Sequence, residues 1–353
     1  MQGPNDCFHT KSEMSLNIDR MKKEALTRNF KHNGLMSLGS WKINLHSDKK
    51  YYTDTLAYLF KQKVMPVSDQ EGVDAILYLI RCKRDSKVFT PALRVPDNTV
   101  AKWEHLDGGG AALSTGRFRV VIFRDDTPAK IFIFIREPQY SHTAFEGHLF
   151  EIIHKILFMF ERLYIHAAAA KWDDKICAFV GDRGGGKSTV CLKLAREGAQ
   201  IISDDHIMVT RTGSRFLVSG CEETSRVTEK TEKGILGRVL VEKAAEYNGV
   251  MKKEILLKDF FECAHFQDFP IHDLFFINVG DAFGIQPISK QQAVVNLIGK
   301  TKAFFRFNSS EDLVEYLSYF SQLVSATELF KMTLSPELED LNKLVSFLKM
   351  RSS

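Results

Sequence analysis

Residues 181 to 188 read Gly-Asp-Arg-Gly-Gly-Gly-Lys-Ser, which satisfies the phosphate-binding pattern G-x-x-x-x-G-K-[ST] at every fixed position. A loop that turns its amides toward phosphates passes through left-handed backbone conformations and approaches the ligand closely, so it needs glycine where a Cβ would intrude. The pattern carries this meaning only between a strand and a helix. Both flanks fit. Lys175-Ile176-Cys177-Ala178-Phe179-Val180 is a short apolar run with strand character, and Ser188 to Glu197 reads as a helix. Val190, Cys191, Leu194 and Ala195 share one face of that helix, and Gly198 stands where it should stop. In such a loop Gly181, Asp182, Arg183, Gly184, Gly185 and Gly186 offer main-chain contacts, Lys187 reaches the β/γ-phosphates, the Ser188 hydroxyl ligates Mg²⁺, and Thr189 completes the set. The residues propose an ATP or GTP site.

Phosphoryl transfer asks the protein to hold a metal on the phosphate oxygens and to orient or deprotonate the acceptor. After the loop helix, Gln200-Ile201-Ile202-Ser203 is a short strand that runs into two adjacent carboxylates, Asp204 and Asp205. Asp204, with Ser188, suits the metal, and Asp205 suits a base that accepts the proton of an attacking hydroxyl. Upstream, the small-residue run Ile165-His166-Ala167-Ala168-Ala169-Ala170 contains a histidine that by itself reads as a packed or capping residue.

Other function classes lose ground on composition. The 353 residues carry a net charge of +4, and no basic run interleaves with aromatics, so no nucleic-acid groove is expected. No apolar stretch nears the roughly 20 residues of a membrane span, and the polar N-terminus lacks a signal-peptide core, which points to the cytoplasm. The six cysteines are scattered with no C-x-x-C pair; Cys177 and Cys191, beside the loop, read as small buried hydrophobes.

Residues 1–39 are polar with weak periodicity and are expected to be a partly ordered leader. Residues 40–144 form an N-terminal α+β unit. In it Trp41 to Leu45 and Ala75 to Ile80 are strands, Tyr52 to Phe60 a helix, and Phe118 to Phe123 with Lys130 to Ile135 a hairpin. This unit is a candidate for acceptor recognition. Residues 145–353 form the third segment, which carries the phosphate loop. It opens with a helix whose apolar residues recur from Phe145 to Leu163. His148 and His154 on it lie about 240° apart at ~100° per residue, which fits a solvated face and not a metal site. Ile207 to Val209 and Phe216 to Val218 pair as a hairpin, and Asp273 to Val279 is a strand. Ser310 to Val324 is a helix, and Ser335-Pro336 caps a last one reaching Leu348. The acidic and histidine residues between Asp259 and Asp273 alternate with phenylalanines and read as an amphipathic segment.

The run from Ile165 to Val209 contains His-Ala-Ala-Ala, the strand, Gly-Asp-Arg-Gly-Gly-Gly-Lys-Ser-Thr, the helix, Gly198 and Ile-Ile-Ser-Asp-Asp. In that order it resembles the catalytic domain of the HPr serine kinase/phosphorylases and, more distantly, the nucleotide core of phosphoenolpyruvate carboxykinases. The resemblance covers about 45 residues. It implies an α/β fold with a mixed sheet around a P-loop core, ATP and Mg²⁺ as cofactors, and His166 in the active site beside Asp204, Asp205 and Lys187. The Leu-Glu-Ile-Arg-Gly segment of true HPr kinases is absent; Ser219 to Arg226 stands in its place. HPr as acceptor and a reverse phosphorolysis are therefore not implied. Arg226 is open either as a clamp on the transferring phosphoryl group or as a surface arginine. Relatives lacking the full signature are similar to accessory kinases of peptide-modification pathways. The resemblance thus points to an ATP-dependent hydroxyl kinase acting on a serine of a peptide or small protein, such as a ribosomally made precursor peptide. A small-molecule hydroxyl and a nucleotide-binding regulatory module without transfer activity are the alternatives. HPr-type kinases are hexamers, so a homo-oligomer is also open.

Overall fold

The computed structural model describes residues 18, 21–66, 72–82, 103–106, 110–115, 117–136, 142–237, 240, 243–247, 249–300 and 310–352. The glycine cluster Asp107-Gly108-Gly109-Gly110 reads as a turn in sequence; its first three residues lie outside the described ones, and Gly110 opens a strand. The chain divides into two compact units. One comprises Met1–Ser37, Trp41–Glu151 and Arg306–Ser310; the other comprises Leu38–Ser40, Ile152–Phe305 and Glu311–Ser353.

The first unit is built on a seven-stranded mixed sheet. Its strands are β1 (His32–Leu38), β2 (Trp41–Ser47), β3 (Ala75–Cys82), β4 (Trp103–His105), β5 (Gly110–Ser114), β6 (Phe118–Phe123) and β7 (Ala129–Arg136), in the order β1-β2-β3-β7-β6-β5-β4. β2, β3 and β7 run parallel, joined by way of helix α1 (Lys50–Leu59) between β2 and β3, whereas β6 and β7 form the expected antiparallel hairpin. Part of the expected leader, residues 1–39, is packed into this unit. β1 belongs to the sheet, and Ile18, Met21, Ala25 and Phe30 are buried against Tyr78, Ile80, Phe132 and Phe134. The spacing 18, 21, 25 is one apolar helical stripe, short enough to be hidden by its polar neighbours.

Helix α2 (His142–Met159) ends before the expected limit of Leu163. Glu161 takes φ = +58°, a left-handed conformation that breaks the helix, and Leu163 instead lies in strand β8 (Arg162–Ile165). The solvated face expected around His154 is also corrected. His154 is buried and packs edge-on to the Tyr164 ring at 5.4 Å.

The second unit centres on a six-stranded mixed sheet. Its strands are β9 (Ala167–Trp172), β10 (Lys175–Gly181), β11 (Gln200–Ser203), β18 (Asp273–Val279), β19 (Gly284–Pro287) and β20 (Glu328–Leu334), in the order β11-β9-β10-β18-β20-β19. β10, β18 and β20 are parallel; β9, β11 and β19 run against their neighbours. Both faces are covered, which is why β10 and β18 are almost wholly apolar. On one face Phe179, Phe275 and Ile277 pack against helices α3 (Lys187–Arg196) and α6 (Leu341–Ser352). On the other, Ala178, Val180 and Phe276 pack with α4 (Lys290–Lys300) and α5 (Ser310–Ser325). α6 starts later than Ser335-Pro336 suggested. A 3-10 turn at Leu338–Asp340 comes first, and the Ser335 hydroxyl donates to the Asp340 carboxylate at 2.6 Å.

Two smaller sheets complete the unit. β8 joins β12 (Ile207–Thr212), β13 (Arg215–Gly220) and β17 (Phe269–Pro270) in the order β17-β13-β12-β8. β14 (Thr224–Val227), β15 (Ala245–Tyr247) and β16 (Val250–Leu256) form the third, with β16 central. Two of the passages between the four- and six-stranded sheets are at His166 between β8 and β9 and at Asp204–His206 between β11 and β12.

Candidate functional site

These two crossings meet at the end of β10, and strand register explains why. Ala167 pairs with Val180, so His166 extends to the level of Gly181; Ile207 pairs with both Ile165 and Gly220, so His206 lies beside His166 and Cys221. The short links therefore bring His166, Asp204, Asp205 and His206 to the place where β10 gives way to the glycine loop.

The loop has the backbone that its sequence demands. Gly184 and Gly186 have φ of +77° and +90°, and a Cβ on Gly181 would come within 2.9 Å of the Ile277 carbonyl oxygen. The Gly185 amide donates to the Asp182 carbonyl at 3.0 Å, and Gly186 opens α3, its carbonyl accepting from Val190 N–H at 2.9 Å. Ser188 and Thr189 lie half-buried in the first turn of α3. The amides of a first helical turn lack intrahelical partners and favour an anion. Arg183 is exposed at the loop's crest. Asp182 is exposed as well, and its carboxylate meets Lys300 of α4 at 2.5 Å. That contact holds the Asp182 carboxyl below its ordinary pKa.

Lys187 folds back into the protein and is only 5% exposed. Its ammonium donates to the Gly181 and Asp182 carbonyls, both at 3.0 Å, and lies 2.9 Å from His166 Nε2. Burial draws its pKa down from 10.5 to about 8, against the opposing pull of Asp204 and Asp182. On the other side of the imidazole, His166 Nδ1 is 2.8 Å from Asp205 Oδ1. One proton placement satisfies both contacts: Nδ1–H donates to Asp205, and the Nε2 lone pair accepts from Lys187. Asp204 is buried, with the Ser225 hydroxyl donating to its Oδ2 at 2.6 Å.

Lys187, His166 and Asp205 thus form one contact chain, with Asp204 close enough to Lys187 to act on its charge. Arg226 is not brought to it. Side chains alternate along β14, so with Ser225 turned toward Asp204, Arg226 points the other way, to Glu254 at 3.3 Å and to the face of Tyr247 at 4.3 Å. Its guanidinium is engaged in an ion pair at the surface.

Two residues of the cluster have no signal in the local sequence pattern. His206 Nδ1 donates to the buried carboxylate of Glu222 at 2.5 Å and lies 3.7 Å from Asp205 Oδ2. Its ring stacks on Tyr164 at 4.7 Å, and burial, then Cys221 and Glu222, push the Tyr164 hydroxyl well above its ordinary pKa. The only clue to His206 was that it follows the double aspartate. Among the described residues His166, Asp205 and His206 also offer one ligand atom each within 4.8 Å of one another, a nitrogen-rich set suited to a transition metal more than to Mg²⁺. Ser188 and Asp204 carry oxygen donors, the type that Mg²⁺ prefers. The acidic and histidine residues near Asp273 are dispersed instead. His272 accepts from the Ile176 amide, His265 Nδ1 donates to the Ile202 carbonyl, and Asp273 pairs with Arg351.

No protein-family model matches the chain, and none of the curated proteins does. Among solved structures, the Hpr(Ser) kinase/phosphatase from Coxiella burnetii is similar at a TM-score of 0.28 and 11% identity, over 54% of this chain and 97% of that one. So slight a likeness fixes neither lineage nor activity. No helix among the described residues is long and apolar enough to cross a membrane.

Proposed function

We propose that the chain is an ATP-dependent kinase that transfers the γ-phosphoryl group to a hydroxyl, with a serine of a peptide or small protein as the acceptor class. The observation that carries this reading is the contact chain from the loop lysine through His166 to Asp205. A site built only to hold a nucleotide has no use for a carboxylate kept in place by a histidine at the end of the phosphate loop. In the reaction the acceptor oxygen bonds to the γ-phosphorus, the bond from that phosphorus to the β–γ bridging oxygen breaks, and ADP leaves. The acceptor's proton passes to an Asp205 carboxylate oxygen. His166 orients Asp205 by donating from Nδ1.

Lys187 supports phosphate binding in a specific way. It is buried against carbonyl oxygens that satisfy its hydrogen bonds without matching its charge, which is the condition an incoming polyphosphate would relieve. Ser188 and Asp204 would hold Mg²⁺, which when bound neutralises charge building on the phosphates. The cradle fits this group. Gly181, Gly185 and Gly186 sit where a Cβ would intrude, Gly184 has φ = +77°, and the cradle's two oxygen donors belong to the type that Mg²⁺ takes.

The test is transfer of label from γ-labelled ATP to serine-bearing peptides encoded beside the gene, with Lys187→Ala as control. The account expects label on the acceptor and none with the variant. ATP bound without transfer to any acceptor would leave a nucleotide-binding module. Steady phosphate release that no acceptor diverts would make the protein a hydrolase.

A further inference from the structure

A second recess adjoins the loop on the side of β10 away from His166 and Asp205. It is a cleft of about 660 Å³ between α4 and the strands β18, β20 and β19. Its floor is a single row of side chains in register across four strands: Val180, Phe276, Lys331 and Gln286. Its wall is the outer face of α4, where Gln291, Val295 and Asn296 follow at helical spacing. The wall ends at Lys300, whose ammonium holds Asp182 of the loop, so the cleft runs up to the phosphate cradle.

We propose that this cleft receives the nucleoside of the donor nucleotide, its purine base lying between Val180 and Phe276 of the floor and the amide side chains of α4. The inference rests on the kinase reading above and adds the place of the base. Three observations carry it. The first is direction. Lys187, His166 and Asp205 mark the end of the loop toward β9 and β11, where the terminal phosphate must lie to meet a base. A nucleotide threaded through the loop therefore leaves on the other side of β10, over β18 and β20. Ligands of open α/β sheets gather toward the carboxyl ends of parallel strands, and the cleft reaches that end through Val180 of β10 and Asn278 of β18.

The second is chemistry. Gln286, Gln291 and Asn296 each carry a carbonyl acceptor beside an NH₂ donor, the pair that matches adjacent acceptor and donor groups on a purine edge. Val180, Phe276 and Val295 offer apolar surface to the ring faces. Among the described residues no carboxylate lines the cleft, whereas Lys331 lies in its floor and Lys300 at the end of its wall, a balance that favours a ligand joined to phosphates. The third is size, since about 660 Å³ lies within the range of small-molecule sites.

The test compares ATP with inorganic tripolyphosphate by titration calorimetry on the full chain. It uses wild type, Gln291→Ala with Asn296→Ala, and Val295→Trp, which fills the cleft from an exposed position. Wild type should bind ATP more tightly than tripolyphosphate. Both variants should weaken ATP about tenfold, the effect of one or two lost hydrogen bonds or of displaced ring contact, and leave tripolyphosphate unchanged. Unchanged tripolyphosphate binding also shows that the variants are folded. Equal affinity of wild type for the two ligands, ATP binding untouched by both variants, or equal losses for ATP and tripolyphosphate would each overturn the inference. A raised KM for the acceptor with ATP unaffected would do so too, by assigning the cleft to the acceptor. Wild type that binds neither ligand would instead bring down the kinase reading, and this inference with it.

Discussion

Binding a polyphosphate in the glycine loop should draw a proton onto Lys187. Burial lowers its pKa from 10.5 to about 8, a penalty on the charged form of about 3 kcal/mol at 1.36 kcal/mol per unit. An anion placed against the ammonium favours the charged form and returns the pKa toward its ordinary value. At pH 7 only about 0.1 of the free protein has a neutral Lys187; the fraction is about 0.5 at pH 8 and about 0.9 at pH 9. Proton uptake on binding should follow those fractions, and affinity should fall about tenfold per pH unit above pH 8 until the bound-state pKa is reached. Calorimetry with tripolyphosphate, in two buffers of different ionisation enthalpy at each pH, reads the uptake directly. Uptake that stays at zero from pH 7 to 9, or that survives Lys187→Met, would refute the assignment of this proton to Lys187.

The same shift has a stability consequence. Between pH 8 and 10.5 the unfolded lysine keeps a proton that the folded one has lost, so raising the pH across that window stabilises the wild type. Lys187→Met should accordingly be more stable than wild type at pH 7, by about 1–3 kcal/mol in chemical denaturation, with the gap closing toward pH 10.5. Gly186→Ala would place a side chain at φ = +90° with its Cβ 2.5 Å from Leu334 Cδ1; a loss of about 1–2 kcal/mol is expected, with weaker tripolyphosphate binding. Asp273 is 1% exposed and meets Arg351 through two bonds of 2.8 and 3.0 Å, so Asp273→Ala should cost about 3 kcal/mol in denaturant midpoint analysis while leaving the loop chemistry intact.

What the sequence disclosed was mostly local. The strand into the loop, the helix out of it and the β6–β7 and β12–β13 hairpins follow from periodicity and turn residues within a dozen positions, and each is present. The mixed character of the sheets was also legible. The misreadings are places where a long-range partner decided the outcome. His154 looked solvent-facing until Tyr164 of the following strand covered it. Arg226 stayed open between a clamp and a surface arginine because a linear sequence does not say which face of β14 it takes; with Ser225 bonded to Asp204, Arg226 lies on the other face, against Glu254. Glu222 meets His206 only because Ile207 pairs with Gly220, a register between two strands that no single-segment pattern encodes. Ile18, Met21, Ala25 and Phe30, within the stretch expected as a leader, form too brief an apolar stripe to stand out in sequence, and they are buried with residues of the sheet.

The central claim is that Asp205 does chemistry at a site that binds nucleotide through the loop. Asp205→Asn keeps the size and the contact with His166 and removes the basic oxygen, so it separates the two roles. The decisive measurement is made on one preparation of wild type and variant: the ATP dissociation constant and the rate of label transfer from γ-labelled ATP to the acceptor. The account predicts dissociation constants within about threefold of each other and transfer reduced by about 100-fold or more, the usual contribution of a general base. Transfer by Asp205→Asn at the wild-type rate would contradict it.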